Sequence, residues 1–224
     1  MKAFLRDNAL TLFFLLILVL ALVGQAVSGL LVYNDRQLTS GGPEVSLAHY
    51  VTSSQFATDV AENWQSEFLQ FFLYILVTVW LVQRGSPESK KPGDQGTESD
   101  QDQKVGTRAG DDSPSWAAAG GWRTAVFSRS LGLAMGTIFL LSWLAQSIAG
   151  RVAYNADRLA DYQDPTSWTG YVTSADFWNR SLQNWQSEFL AVAAMAALSI
   201  YLRQRGSPES KPVGTPHQAT GVEG

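Results

Sequence analysis

The chain contains no cysteine. Disulfides, thiolate nucleophiles and cysteine-based metal sites are thereby excluded. Histidine is nearly as scarce, and His49 and His217 stand far apart without ligand-like spacing. No metal, no other cofactor and no catalytic residue set is therefore expected, and the chain reads as non-enzymatic. The formal net charge is -4, so nothing points to nucleic acid as a partner. Charge is also missing locally. Leu10 to Val32 holds no ionisable residue, and neither does Ser130 to Gly150.

Charge-free apolar runs of about 18 residues or more are transmembrane candidates. The mean hydropathy of -0.04 conceals them, because very polar connectors dilute very apolar runs. Two further runs, Phe68 to Gln83 and Phe189 to Leu202, are shorter. They reach spanning length only if the polar stretch ahead of each sits in the membrane interface. The expected class is an all-α integral membrane protein with four transmembrane helices, in contact with the lipid bilayer. Lys2 and Arg6 precede the first run as they would in a signal peptide. The same helix recurs in mid-chain, however, so the first is read as a retained anchor.

What is present is a duplication. Asn63-Trp64-Gln65-Ser66-Glu67-Phe68-Leu69 returns letter for letter as residues 184–190, 121 positions later. Arg84-Gly-Ser-Pro-Glu-Ser-Lys90 returns as Arg205 to Lys211, and Gln25 to Lys90 aligns with Gln146 to Lys211 without a gap. The chain therefore divides into a first two-helix membrane repeat at 1–90, a linker at 91–121, a second repeat at 122–211 and a tail at 212–224. Gly, Ser, Asp, Gln and Pro dominate the linker, which predicts disorder, and the tail should be loose. Two spans per repeat insert both copies the same way up. That predicts a parallel pseudo-two-fold axis along the membrane normal.

Within the first connector, Thr52-Ser53-Ser54-Gln55 predicts a capping box, and Thr173 to Asp176 repeats it. Each second helix should then run as one rod of about 30 residues, some 45 Å long. Gly85 and Gly206, with proline two residues on, predict its left-handed stop. Gly132 and Gly136 make a small-xxx-small step suited to a dimer seam or an internal contact. Trp64, Trp122, Trp168, Trp178 and Trp185 suit interfacial aromatic belts.

The sixteen Lys and Arg residues distribute unequally, twelve on the termini and linker against Arg36, Arg151, Arg158 and Arg180 between paired spans. That asymmetry predicts cytoplasmic termini and linker. Three sets of residues are candidates for function. Glu67 and Glu188 could flank a cation or proton path on the axis, or simply lie hydrated at the outer interface. Gln25 and Gln146 could line a polar site between the first and third spans, or bond helix to helix. Arg84, Lys90, Arg205 and Lys211 could dock a partner, or only anchor a helix stop. The favoured function is a non-enzymatic membrane scaffold or accessory subunit, partnered by other membrane proteins or by itself. The alternative is a small channel or transporter.

The strings Gly24-Gln25, Tyr33-Asn34, Tyr50 to Ser53, Asn63 to Leu69 and Gly85 to Lys90 resemble those of a family of small bacterial integral membrane proteins characterised only as a domain of unknown function. The resemblance implies four membrane helices in a bacterial cytoplasmic membrane. It supplies no catalytic residues.

Overall fold

The structure is a computed structural model that describes residues 2–222. The side chain of Lys2 and the last two residues of the expected tail lie outside what is described. Among the described residues the fold is all-helical: nine α-helices, one short 3-10 turn and no strand.

A basic lead, α1 (Lys2–Asp7), precedes α2 (Ala9–Thr39), which runs 31 residues. A short α3 (Leu47–Val51) links it to α4 (Ser54–Val77). The second half carries α5 (Ser115–Ala118), α6 (Gly121–Phe127), α7 (Ser130–Ala160), α8 (Trp168–Val172) and α9 (Ala175–Tyr201). Helices α2 and α7 are long and apolar enough to cross a membrane. The expected disordered linker holds the 3-10 turn Gly106–Arg108 and α5, joined by local turns.

The chain divides into two compact units, and each draws on both halves of the sequence. The first unit contains residues 1–61 and 144–177, the second residues 62–143 and 178–224.

In the first unit the same contacts occur twice. The connector after α2 folds back because Asn34 imitates a strand neighbour. Its Nδ2 donates to the Val45 carbonyl at 3.1 Å, and its Oδ1 accepts from the Val45 N–H at 2.9 Å. Asn155 does the same for Thr166 at 3.0 and 2.8 Å. This brings α3 and α8 against the helix they follow. Tyr50 and Tyr171 are each almost wholly buried, and a Cβ added to Gly29 or Gly150 would lie 2.2 or 2.4 Å from the tyrosine Oη. Aromatic rows Tyr33–Tyr50–Phe56 and Tyr154–Tyr171–Phe177 complete the two corners, with centroids 5.4 to 5.5 Å apart.

Both second helices begin one residue later than the capping-box reading places them. The Ser53 Oγ accepts from the Phe56 N–H at 3.2 Å, and the Ser174 Oγ from the Phe177 N–H at 3.3 Å. Thr52 instead turns its hydroxyl back to the Ala48 carbonyl at 2.9 Å. The helices also stop early, at 24 and 27 residues. Thr78 donates to the Tyr74 carbonyl, and the i→i−3 bonds of Val79 and Trp80 tighten the end of α4. Arg203 caps α9 by donating to the carbonyls of Ser199, Ile200 and Leu202. Gly85 and Gly206 do take positive φ, +89° and +83°, but each serves a separate turn beyond its helix.

In the second unit, Gly132 and Gly136 of α7 receive Leu76 and Phe72 of α4. A Cβ at Gly136 would stand 2.8 Å from the Phe72 ring. The small-residue step is an internal contact.

Candidate functional site

The repeated heptapeptide builds a polar and aromatic cluster in the second unit. Gln65 is fully buried in α4, and its Oε1 accepts from the Trp185 Nε1 of α9 at 2.8 Å. Its Nε2 donates to the Glu62 carbonyl at 3.1 Å. Trp185 packs with Trp143 of α7 and Trp178 of α9, with centroids 5.9 to 6.3 Å apart. Trp143 donates to the Ser181 Oγ at 3.4 Å and stacks on Phe139. Glu62 and Arg180 form an ion pair at 3.4 Å. Each indole pair adds about 0.5–1.5 kcal/mol beyond its buried area. Trp178, which is also exposed, and the half-buried Trp185 thus belong to this cluster.

The second copy of the heptapeptide does not repeat this arrangement. Gln186 is exposed and Trp64 is 43% exposed. Identical letters do different work, because each copy faces different neighbours. Trp143, Arg180 and Glu62 lie outside the repeated string, so the duplication gave no sign of them. The i, i+4 pair Phe139–Trp143 and the i, i+7 pair Trp178–Trp185 were the available signals.

The four residues proposed for a polar site fall in two places. Glu67 is exposed and Glu188 half-buried, and they are near enough to repel each other. Among the described residues neither takes part in an ion pair; the connector arginine pairs with Glu62 instead. Gln25 is half-buried in α2, and Gln146 is fully buried in α7. No hydrogen bond joins them, and both amide atoms of Gln146 lack a partner among the described residues. A buried amide without partners costs about 1–3 kcal/mol. The neighbouring Ser147 is satisfied: it donates to the Leu144 carbonyl and accepts from the Trp168 Nε1 at 3.1 Å.

The repeated loops are the second feature. In both copies the chain turns back and a serine closes the turn. The Gln83 N–H donates to the Ser89 Oγ at 2.8 Å, and the Gln204 N–H to the Ser210 Oγ at 2.9 Å. The lysine that ends each string captures the chain that follows it. Lys90 donates to the Gly96 carbonyl at 2.7 Å and pairs with Glu98 at 2.6 Å. Lys211 is 1% exposed and donates to the carbonyls of Gly85 at 2.6 Å and His217 at 2.8 Å, with those of Pro216 and Ala219 farther off. Burial, and secondarily the charge of Arg203, pushes the Lys211 pKa below the usual lysine value. The tail is further held by the Gly85 N–H on the Thr220 Oγ1 and the Gly221 N–H on the Ser86 carbonyl. A Cβ at Gly85 would lie 2.5 Å from the His217 carbonyl oxygen, so only glycine admits the tail there. Of the four residues proposed for docking, Lys90 and Lys211 are engaged within their own chain. Arg84 and Arg205 are exposed, and Lys90 is half-buried.

Among the described residues no group of three or more His, Asp or Glu side chains could hold a metal ion. A family model described as "Domain of unknown function (DUF6766)" matches residues 1–222. No curated protein and no solved structure matches the chain.

Proposed function

For a chain that belongs to the DUF6766 family, a domain of unknown function, we propose a role drawn from its own geometry: a non-enzymatic scaffold or accessory subunit of a membrane protein complex. The observation that carries it is α2. Of its 31 residues only Ala26 is buried, and large apolar side chains from Leu10 to Val23 face outward. An apolar surface of this extent belongs against lipid or another membrane helix. The setting we infer is a bacterial cytoplasmic membrane, with four spans, both termini and the linker cytoplasmic, and the two repeats related by a parallel pseudo-two-fold axis. The lysine and arginine asymmetry supports the orientation. The bond from Lys211 to the Gly85 carbonyl supports the span count. It holds both loops on one side of the membrane, so the chain between them crosses an even number of times. Helix α7 is one crossing, and the 27-residue α9 is the other helix in that stretch long enough to return.

A photoreactive residue at Phe13 or Leu16, activated in native membranes, tests the scaffold role. Discrete protein adducts, of another subunit or a second copy, are expected. Adducts to lipid alone overturn it.

The unpartnered Gln146 amide favours a second reading, a small channel or transporter with a polar site at Gln25 and Gln146 and carboxylates at Glu67 and Glu188. Solute flux in vesicles that disappears in Glu67→Gln/Glu188→Gln would establish this reading in place of the first.

A further inference from the structure

Docking of the tail onto the first repeated loop leaves a cleft of about 500 Å³ open to solvent, lined by Arg84, Lys91, Gln218 and Thr220 among others. Its chemistry is unusual for an acidic chain. Among the described residues both charged side chains in the lining are cations, and none is a carboxylate. Among the described residues neither Arg84 nor Lys91 takes part in an ion pair or a side-chain hydrogen bond. Two like charges facing one cleft repel each other until an anion joins them.

We propose that this cleft binds a phosphate group, carried either by an anionic lipid headgroup or by a small soluble phosphate. Guanidinium offers a planar fork that matches two phosphate oxygens, and ammonium adds a compact second charge. Gln218 contributes an amide donor at the rim. The cleft follows the end of α4, where a basic pair next to a span meets headgroups. Its wall is the tail itself, held by Lys211 and admitted by Gly85, so the two repeated loops together create it. That gives Arg84 a role that its counterpart Arg205, which does not line the cleft, lacks.

The full chain tests this in two arms. In detergent, binding of radiolabelled inorganic phosphate is measured at low salt. In phosphatidylcholine nanodiscs doped with phosphatidylglycerol, native mass spectrometry counts retained phosphatidylglycerol. Binding in at least one arm is expected, weakened about tenfold or more in Arg84→Gln/Lys91→Gln. Arg205→Gln/Lys104→Gln, which removes the same net charge elsewhere, should bind as wild type. Retained phosphatidylglycerol without phosphate binding assigns the site to lipid, and phosphate binding assigns it to soluble phosphates. No binding in either arm, equal binding by Arg84→Gln/Lys91→Gln, or equal loss in the control variant would overturn the proposal. Both substituted side chains are exposed, so circular dichroism should report an unchanged fold.

Discussion

At Gly29 and Gly150 a hydrogen atom stands where any side chain would meet a buried tyrosine hydroxyl. Alanine at Gly29 forces Tyr50 out of its corner, and overpacking of this kind costs about 1–3 kcal/mol. Gly24, one turn and a residue earlier on α2, has nothing within 4 Å of the same added carbon. Thermal unfolding in detergent should therefore show a clear loss of stability for Gly29→Ala. Gly24→Ala should show none, or a small gain from better helix propensity. The duplication marked Gly29 and Tyr50 as repeated letters, but not as partners. They are 21 residues apart, and no helical or strand periodicity links them. Lys211 poses the same difficulty more sharply. A basic residue after an apolar run reads as an exposed anchor, and the carbonyls that bury it come from a glycine more than a hundred residues earlier and from a tail read as loose. Lys211→Met should free that tail. Hydrogen exchange at the Gly221 N–H, bonded to the Ser86 carbonyl, should accelerate strongly, whereas Lys90→Met should leave it unchanged.

Helix ends were less legible than helix bodies. The four long helices stand where apolar runs and the i, i+4 spacing of Phe56, Val60, Trp64 and Phe68 put them. The connectors hid α3 and α8, five residues each, because Ser46 and Ser167 cap them locally and their stability comes from the buried tyrosine. Thr52 and Ser53 are both able caps by residue type, and only geometry separates them. Ser53→Ala removes the acceptor for the Phe56 N–H and should cost α4 about 1 kcal/mol. Thr52→Ala removes a hydroxyl bonded back into α3 and should cost less. Paired thermal melts decide the matter, and a larger loss at Thr52 would return the cap to the capping-box position. At the other end, Gly85 takes the positive φ that its place before Pro87 predicts, but not as a helix stop. The helix had already ended, and glycine is needed because a tail carbonyl passes within 2.5 Å of where a Cβ would be.

For the molecule as a whole, two independent observations bear on the four-span topology proposed above. One is the excess of twelve lysines and arginines on the termini and linker over four between paired spans. The other is the contact between the loop after α4 and the tail after α9, which requires those two ends to share a side. In that proposal the first bears on the side and the second on the parity, so a wrong assignment of either is visible. Among the described residues, length and apolarity make only α2 and α7 candidates for spans. Helix α4 carries Asp59, Glu62 and Glu67, and α9 carries Asp176, Arg180 and Glu188, which dilute their hydropathy; Glu62 and Arg180 are joined in an ion pair. Reporter fusions at Gly42, Gly96 and Gly221 separate the possibilities. Four spans with inner termini predict cytoplasmic signals from Gly96 and Gly221 and an external one from Gly42. Two spans formed by α2 and α7 alone would place Gly96 and Gly221 on opposite sides, an arrangement at odds with the bonds of Lys211 to the Gly85 and His217 carbonyls. A periplasmic signal from Gly96 with a cytoplasmic one from Gly221 would therefore refute the four-span reading and the docked tail together. Matching signals on the outer side would preserve the docking and reverse only the orientation.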